Sequence, residues 1–173
     1  MPFKENMTDP ISLLAIHGAS APIFTLDGQA MYGRLVGLYD GDTATVALPI
    51  FGTVYKFNVR LSGIDTPEMR SKLPEVRIQA IRARNRLLQL AGLNIGLDDD
   101  LKKKDIMAML ESANYLVWVV CGEQEKYGRT LCKLYKDNFA SESFAETLIR
   151  EKYAYAYGGG TKRSEQDQMA TLA

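Results

Sequence analysis

One histidine, two cysteines and one tryptophan among 173 residues remove several chemistries at the outset. The lone His17 has no second histidine to build a metal cluster or a nucleophile–base pair with, and it reads as an ordinary surface or half-buried side chain. Cys121 and Cys132 are too few for a disulfide framework or a zinc site and are expected as reduced, buried thiols. Neither sign of charge is in excess, with 21 basic and 21 acidic residues, which speaks against a protein that holds nucleic acid by charge alone. It speaks less against an enzyme, which must release its product. No apolar run approaches the roughly 18 residues of a membrane span, so no membrane partner is expected. The short run Ile11–Ile16 contains Ser12 and follows Glu5 and Asp9, a poor leader for secretion. An intracellular monomer is the expectation, with secretion as the lesser alternative.

What is there is an ordinary globular composition, 46% hydrophobic and 24% charged, in a length that suits one domain. Residues 1–22 are broken by Pro2, Pro10 and Pro22, with room for one short helix at Ile11–Ile16. Asp27-Gly28 is a tight-turn pair between Ile23–Leu26 and Ala30–Leu38, which reads as a first strand pair or as the lead-in to one long strand. Thr43–Leu48 is a short β-rich run. In Val54–Leu61, Tyr55, Phe57, Val59 and Leu61 alternate with Lys56, Asn58 and Arg60, the pattern of a half-buried strand. A hairpin between these two runs sets Leu48 near Val54 and Asp42 near Arg60.

Apolar residues recur at helical spacing from Glu75 to about Ala91, and Arg77, Arg82, Arg84 and Arg86 are expected on the solvated face. A second helix is expected to begin at Asp98–Asp100, where acidic charge suits a helix start, and to run to about Ser112. Leu116–Cys121 and Thr130–Tyr135 read as strands, with Trp118 in the core. Ser141–Lys152 reads as a helix, Tyr153–Tyr157 as extended, and Ser164 as the cap of a last short helix. Several short strands beside segregated helices give an α+β domain, and a small closed barrel with helices packed on it fits.

Three short pieces carry the chemistry: Asp40-Gly41-Asp42-Thr43, Arg60-Leu-Ser-Gly-Ile-Asp65-Thr66-Pro67-Glu68 and Lys126-Tyr127-Gly128-Arg129. Asp42 and Asp65 are hard oxygen ligands of the kind calcium takes. Pro67 holds Thr66 extended, which can turn the Thr66 carbonyl out of a regular ladder and into a ligand position. Arg60 and Arg129 can fork onto phosphate oxygens, and Glu68 can orient or deprotonate a water. Taken singly, each piece is equally well a polar turn or loop. Their ordered combination carries the signal.

That combination resembles the staphylococcal nuclease (thermonuclease) family, over Val36–Thr43, Arg60–Glu68 and Lys126–Tyr135 and on through Ser141–Lys162. The resemblance implies an N-terminal extension over residues 1–30 and a five-stranded OB-fold barrel with about three packed helices over 31–173. It implies Asp42, Asp65 and Thr66 as calcium ligands, and Arg60, Glu68 and Arg129 as the catalytic trio, with Glu68 as general base. Tyr127, with Lys126 beside it, falls on the substrate-binding face, and Asp40 near the metal. The implied activity is calcium-dependent hydrolysis of DNA and RNA that leaves 3′-phosphates. Asn94–Ala113 reads as an insertion carrying an extra helix. Tyr153, Tyr155 and Tyr157 inherit no role and are expected to pack against the barrel. The alternative is a non-catalytic module that binds nucleic acid or protein on the same barrel.

Overall fold

The structure, a computed structural model, describes residues 9–125 and 128–173. Five strands close into a mixed barrel: β1 (Ala30–Leu38), β2 (Thr43–Ile50), β3 (Thr53–Leu61), β5 (Leu116–Gln124) and β6 (Thr130–Tyr135). The order around it is β1-β2-β3-β6-β5, and β5 returns to pair with β1. Every pairing is antiparallel except β3 with β6. A second, two-stranded piece joins β4 (Ile64–Asp65) to β7 (Tyr155–Ala156). The helices among the described residues are α1 (Pro10–Ile16), α2 (Pro74–Leu90), α3 (Lys103–Glu111), α4 (Phe144–Arg150) and α5 (Glu165–Leu172). This is an α+β domain on a closed barrel, as the strand and helix patterns predict, and the barrel is OB-fold-like, as the resemblance implies. None of these helices is long and apolar enough to cross a membrane.

Alternation builds the barrel. Ala44, Val46, Leu48, Val59 and Leu61 point in from β2 and β3, and Val117, Val119, Cys121, Cys132 and Leu134 from β5 and β6, where all are buried in one core. The two-residue turn Phe51-Gly52 has positive φ at both positions (50° and 77°), as a tight hairpin requires. Its register sets Leu48 opposite Tyr55 and Pro49 opposite Val54, one place from the expected pairing, because β2 runs through Pro49 to Ile50. Cys121 and Cys132 face each other across β5 and β6 as free, buried thiols.

Of the two readings of Ile23–Leu26, the lead-in holds: the run is not a strand, Leu26 is buried, and the Asp27-Gly28 turn leads into β1. The structure corrects three other readings. Trp118 is only half-buried, edge-on to Tyr32 at 5.0 Å between ring centroids, because Val117 and Val119 take the inward positions of β5. Helix α3 starts at Lys103, not at Asp98. The intervening loop is tied to α2 instead: the Asn85 side-chain amide donates to the carbonyls of Gly96, Leu97 and Asp99, and Arg82 pairs with Asp98 at 2.6 Å. The same loop explains the last correction, Arg84, which is buried rather than solvated. Its Nε donates to Asn85 at 3.3 Å, and burial holds its guanidinium below the ordinary value.

Candidate active site

The β2–β3 ladder sets Thr43 opposite Arg60, and the Leu61 amide donates to the Asp42 carbonyl at 2.8 Å. The first and second sequence pieces therefore meet through backbone pairing. Parallel pairing of β3 with β6 sets Arg60 beside Leu131, which brings the third piece alongside. Gly41 makes the approach possible: a Cβ there would sit 2.9 Å from Ala83 of α2 and 2.9 Å from the Thr66 methyl. The loop that carries Asp42 is thereby pressed between α2 and the Asp65-Thr66 turn.

A cavity of about 220 Å³ results, lined by Asp40, Asp42, Arg60, Asp65, Thr66, Glu68, Arg129 and Lys162, with Tyr39 and Thr43. All six predicted metal and catalytic residues are thus brought together. Lys126 and Tyr127, predicted on the substrate face, lie outside the described residues.

The inner wall is ionic and largely buried. Arg60 Nη2 reaches Asp42 Oδ2 at 2.9 Å and Asp65 Oδ1 at 2.8 Å, and both carboxylates are buried. The other Asp65 oxygen accepts the Tyr155 hydroxyl and faces Lys162 Nζ at 3.1 Å. Burial pushes the Asp65 carboxyl up, but these hydrogen bonds and the Lys162 charge outweigh it and hold it below the usual range. Asp42 goes the other way. Burial first, then the Asp40 charge, override Arg60 and push its carboxyl up to about 8.

The outer wall is more exposed. Lys162 Nζ also pairs with Glu68 Oε1 at 2.5 Å. Glu125 clamps both catalytic-candidate arginines: Arg129 Nη2 lies 2.8 Å from its Oε2, and Arg60 Nε lies 3.6 Å from its Oε1. Arg129 Nη1 reaches Thr43 Oγ1 at 3.5 Å. Beyond Arg60 opens a larger cavity of about 600 Å³, walled by Leu61, Ile64, Glu125, Leu131, Tyr157 and the Gly158–Gly160 turn.

Tyr155, Lys162 and Glu125 were not singled out by the sequence. Tyr155 was expected merely to pack; it is buried, and its hydroxyl is committed to Asp65. The roles of Tyr155 and Lys162 depend on the β4–β7 pairing and on the chain after it, which bring residues some 90 positions apart into contact, while that of Glu125 comes from the hairpin between β5 and β6, four residues from Arg129.

The donor set fits a hard divalent cation. Among the described residues there is no group of three or more His, Cys, Asp or Glu side chains arranged around a metal position, so a cation would rest on two carboxylates and a main-chain oxygen. Asp42 supplies an observation in favour: its buried carboxylate meets Arg60 through Oδ2, while Oδ1 accepts the Thr43 hydroxyl at 3.0 Å and meets no cation among the described residues. The Thr66 carbonyl supplies another, since among the described residues no backbone amide outside the helices and strands donates to it. Two acidic side chains, a carbonyl and water make a set that calcium accepts. No protein-family model matches the chain, and no curated protein matches it.

Proposed function

We propose that the chain is a calcium-dependent nuclease that hydrolyses phosphodiester bonds of DNA and RNA, with the 220 Å³ cavity as its active site. The observation that carries this reading is the convergence of two arginines, a pair of buried carboxylates and an exposed glutamate on one cavity. It is the set of groups that in-line attack of water on phosphorus needs, and it matches the residues on which the resemblance to staphylococcal nuclease rests.

Asp42, Asp65 and the Thr66 carbonyl would hold the ion. Bound there, calcium would polarise a phosphate oxygen and lower the pKa of a water. Arg60 and Arg129 have their guanidiniums aligned by Glu125, and they donate to the non-bridging oxygens of the scissile phosphate. Those oxygens carry more negative charge in the pentacovalent transition state than in the diester, so the arginines lower the barrier rather than merely tighten binding. Glu68 is half-exposed and paired with Lys162, which orients its carboxylate toward the cavity, where it can accept a proton from water. Water oxygen bonds to phosphorus, its proton passes to Glu68, the bond from phosphorus to the 5′ oxygen breaks, and that oxygen takes a proton from solvent. A 3′-phosphate remains. The 600 Å³ cavity beyond Arg60 has room for a nucleoside beside the reacting phosphate.

The test is degradation of single-stranded DNA in millimolar calcium and again in excess chelator. Cleavage that stops in chelator and returns with calcium supports the reading. Cleavage undiminished by chelator removes the metal from it. Binding without any cleavage in calcium favours the non-catalytic module.

A further inference from the structure

A second cavity, of about 360 Å³, shares Tyr39, Thr43 and Arg129 with the active-site candidate, so the two are continuous. It lies over the outer faces of β1, β2 and β3, and α3 forms its far wall. Its charge is one-sided. Lys56, Lys103 and Arg129 line it, and among the described residues lining it there is no carboxylate. In a chain with 21 charges of each sign, that is a local excess of cations: Lys56 and Lys103 are in no salt bridge among the described residues, and Arg129 is paired with Glu125 from outside the lining.

The layout is linear. Arg60, Asn58 and Lys56 project from the outer face of β3 at alternate positions, opposite Thr43, Thr45 and Ala47 of β2. Alternate residues of a strand are roughly 6.8 Å apart, so the donors form a rail that leads away from the catalytic pocket. Lys103 stands across from this rail on the first turn of α3. That helix is held in place by Ile106 and Leu110, both buried, and by Arg34, which donates to the carbonyls of Leu110 and Glu111 and pairs with Glu111. Between the cations lie the polar Thr43, Thr45 and Asn58 and the apolar surfaces of Tyr39 and Met107. Tyr39 sits where the two cavities join, and both Tyr39 and Met107 are 46% exposed.

The geometry points to a binding groove for the single-stranded nucleic acid that flanks the scissile phosphate. This rests on the reading above that the chain cuts nucleic acid. Lys56 and Lys103 take backbone phosphates, and Tyr39 and Met107 offer apolar faces to unpaired bases. A duplex would keep its bases stacked inside and leave those two faces unused, so a single strand suits the groove better. The inserted α3 thereby gains a role: it turns one face of the barrel into a walled track.

The test compares Lys56→Glu/Lys103→Glu with Lys133→Glu/Lys136→Glu, which makes the same charge change at exposed residues outside the groove. Thermal melting first establishes that both variants fold like wild type. Binding of fluorescent oligothymidylates of about 2 and about 12 nucleotides is then read by anisotropy in chelator, where cutting is suppressed. The groove variant is expected to bind the 12-mer at least about tenfold more weakly and the dinucleotide as wild type does. Its salt dependence for the 12-mer should fall by about 1.4 in log–log slope, two contacts at roughly 0.7 each. Wild-type affinity for the 12-mer in the groove variant overturns the proposal, as does an equal loss in the Lys133/Lys136 variant. Equal groove dependence for a 12-base-pair duplex overturns the single-strand assignment. Length-dependent binding that vanishes in the groove variant, with no cleavage in calcium, supports the groove while striking the nuclease reading alone.

Discussion

Two neighbouring cavities share one arginine and differ in every other electrostatic respect. The catalytic candidate holds four carboxylates, from Asp40, Asp42, Asp65 and Glu68, against three cations. The groove beside it holds three cations and, among the described residues, no carboxylate. The first is small, and its inner groups are buried and tied to one another; the second is open and its lysines are exposed. Buried charges tied this tightly are costly and persist where chemistry uses them, whereas exposed lysines contribute long-range attraction that salt screens. Arg129 lines both cavities, and on the proposed reading it stands where binding hands over to reaction.

The largest effects should therefore come from the acidic cavity and appear in rate. Glu68→Gln and Arg129→Lys should each lower kcat/KM by about a hundredfold or more, on the order of 3 kcal/mol of transition-state stabilisation. Glu68→Gln should leave oligonucleotide binding in chelator close to wild type, because Glu68 does not line the groove. A near-normal rate in either variant removes that residue from the mechanism.

Tyr155→Phe comes next. The hydroxyl it removes is buried against Asp65, so the variant should lose about 1–2 kcal/mol of stability by urea titration and bind calcium more weakly. An unchanged unfolding midpoint together with unchanged calcium affinity would show that the inner wall does not depend on this contact.

A pH effect follows from Asp42. Its carboxyl is raised in the folded protein from an ordinary 3.8 to about 8, so the native state holds this proton more tightly than the unfolded chain. The stability this group contributes is complete below about pH 4 and is lost as pH rises through about 8. In chelator, Asp42→Asn should make the protein more stable than wild type at pH 9 and remove much of that decline. A variant less stable than wild type at pH 9 would mean that Arg60 fully compensates the carboxylate.

The smallest contrast is with salt. Raising it from about 50 to about 200 mM should weaken long oligonucleotides far more than the dinucleotide, which is too short to reach both lysines of the groove from the acidic cavity.

The part of the site that was legible in sequence is the part built by local chain. Asp42 lies at the start of β2 and Arg60 at the end of β3, with Asp65 and Thr66 just past it, so one hairpin register is enough to bring the four together. The alternation of β3 holds from Phe57 to Leu61, whereas Thr53–Lys56 beside the turn are exposed on both faces, Tyr55 included, because the strand there runs past the core. Lys162 and Tyr155 were hidden because their partners are set by the chain's return to β4 late in the sequence. Arg84 was misread because helix periodicity describes one buried stripe. The loop after α2 covers a second, and the only local sign of it was Asn85, an amide whose three carbonyl partners all lie 11 to 14 residues downstream. The same tether delays α3, since a loop held to α2 by Asn85 and Arg82 is not free to begin a helix at Asp98.

The central claim is that one cavity grips a divalent ion and a phosphodiester at once. The most direct measurement is calcium titration by calorimetry, with and without a saturating dinucleotide whose linkage resists hydrolysis. Binding energies linked in this way are reciprocal, so each ligand must tighten the other. The account predicts one calcium per chain, bound at least about tenfold more tightly with the dinucleotide present, and no such binding in Asp65→Asn. Calcium affinity indifferent to the dinucleotide, or retained in full by Asp65→Asn, would contradict it.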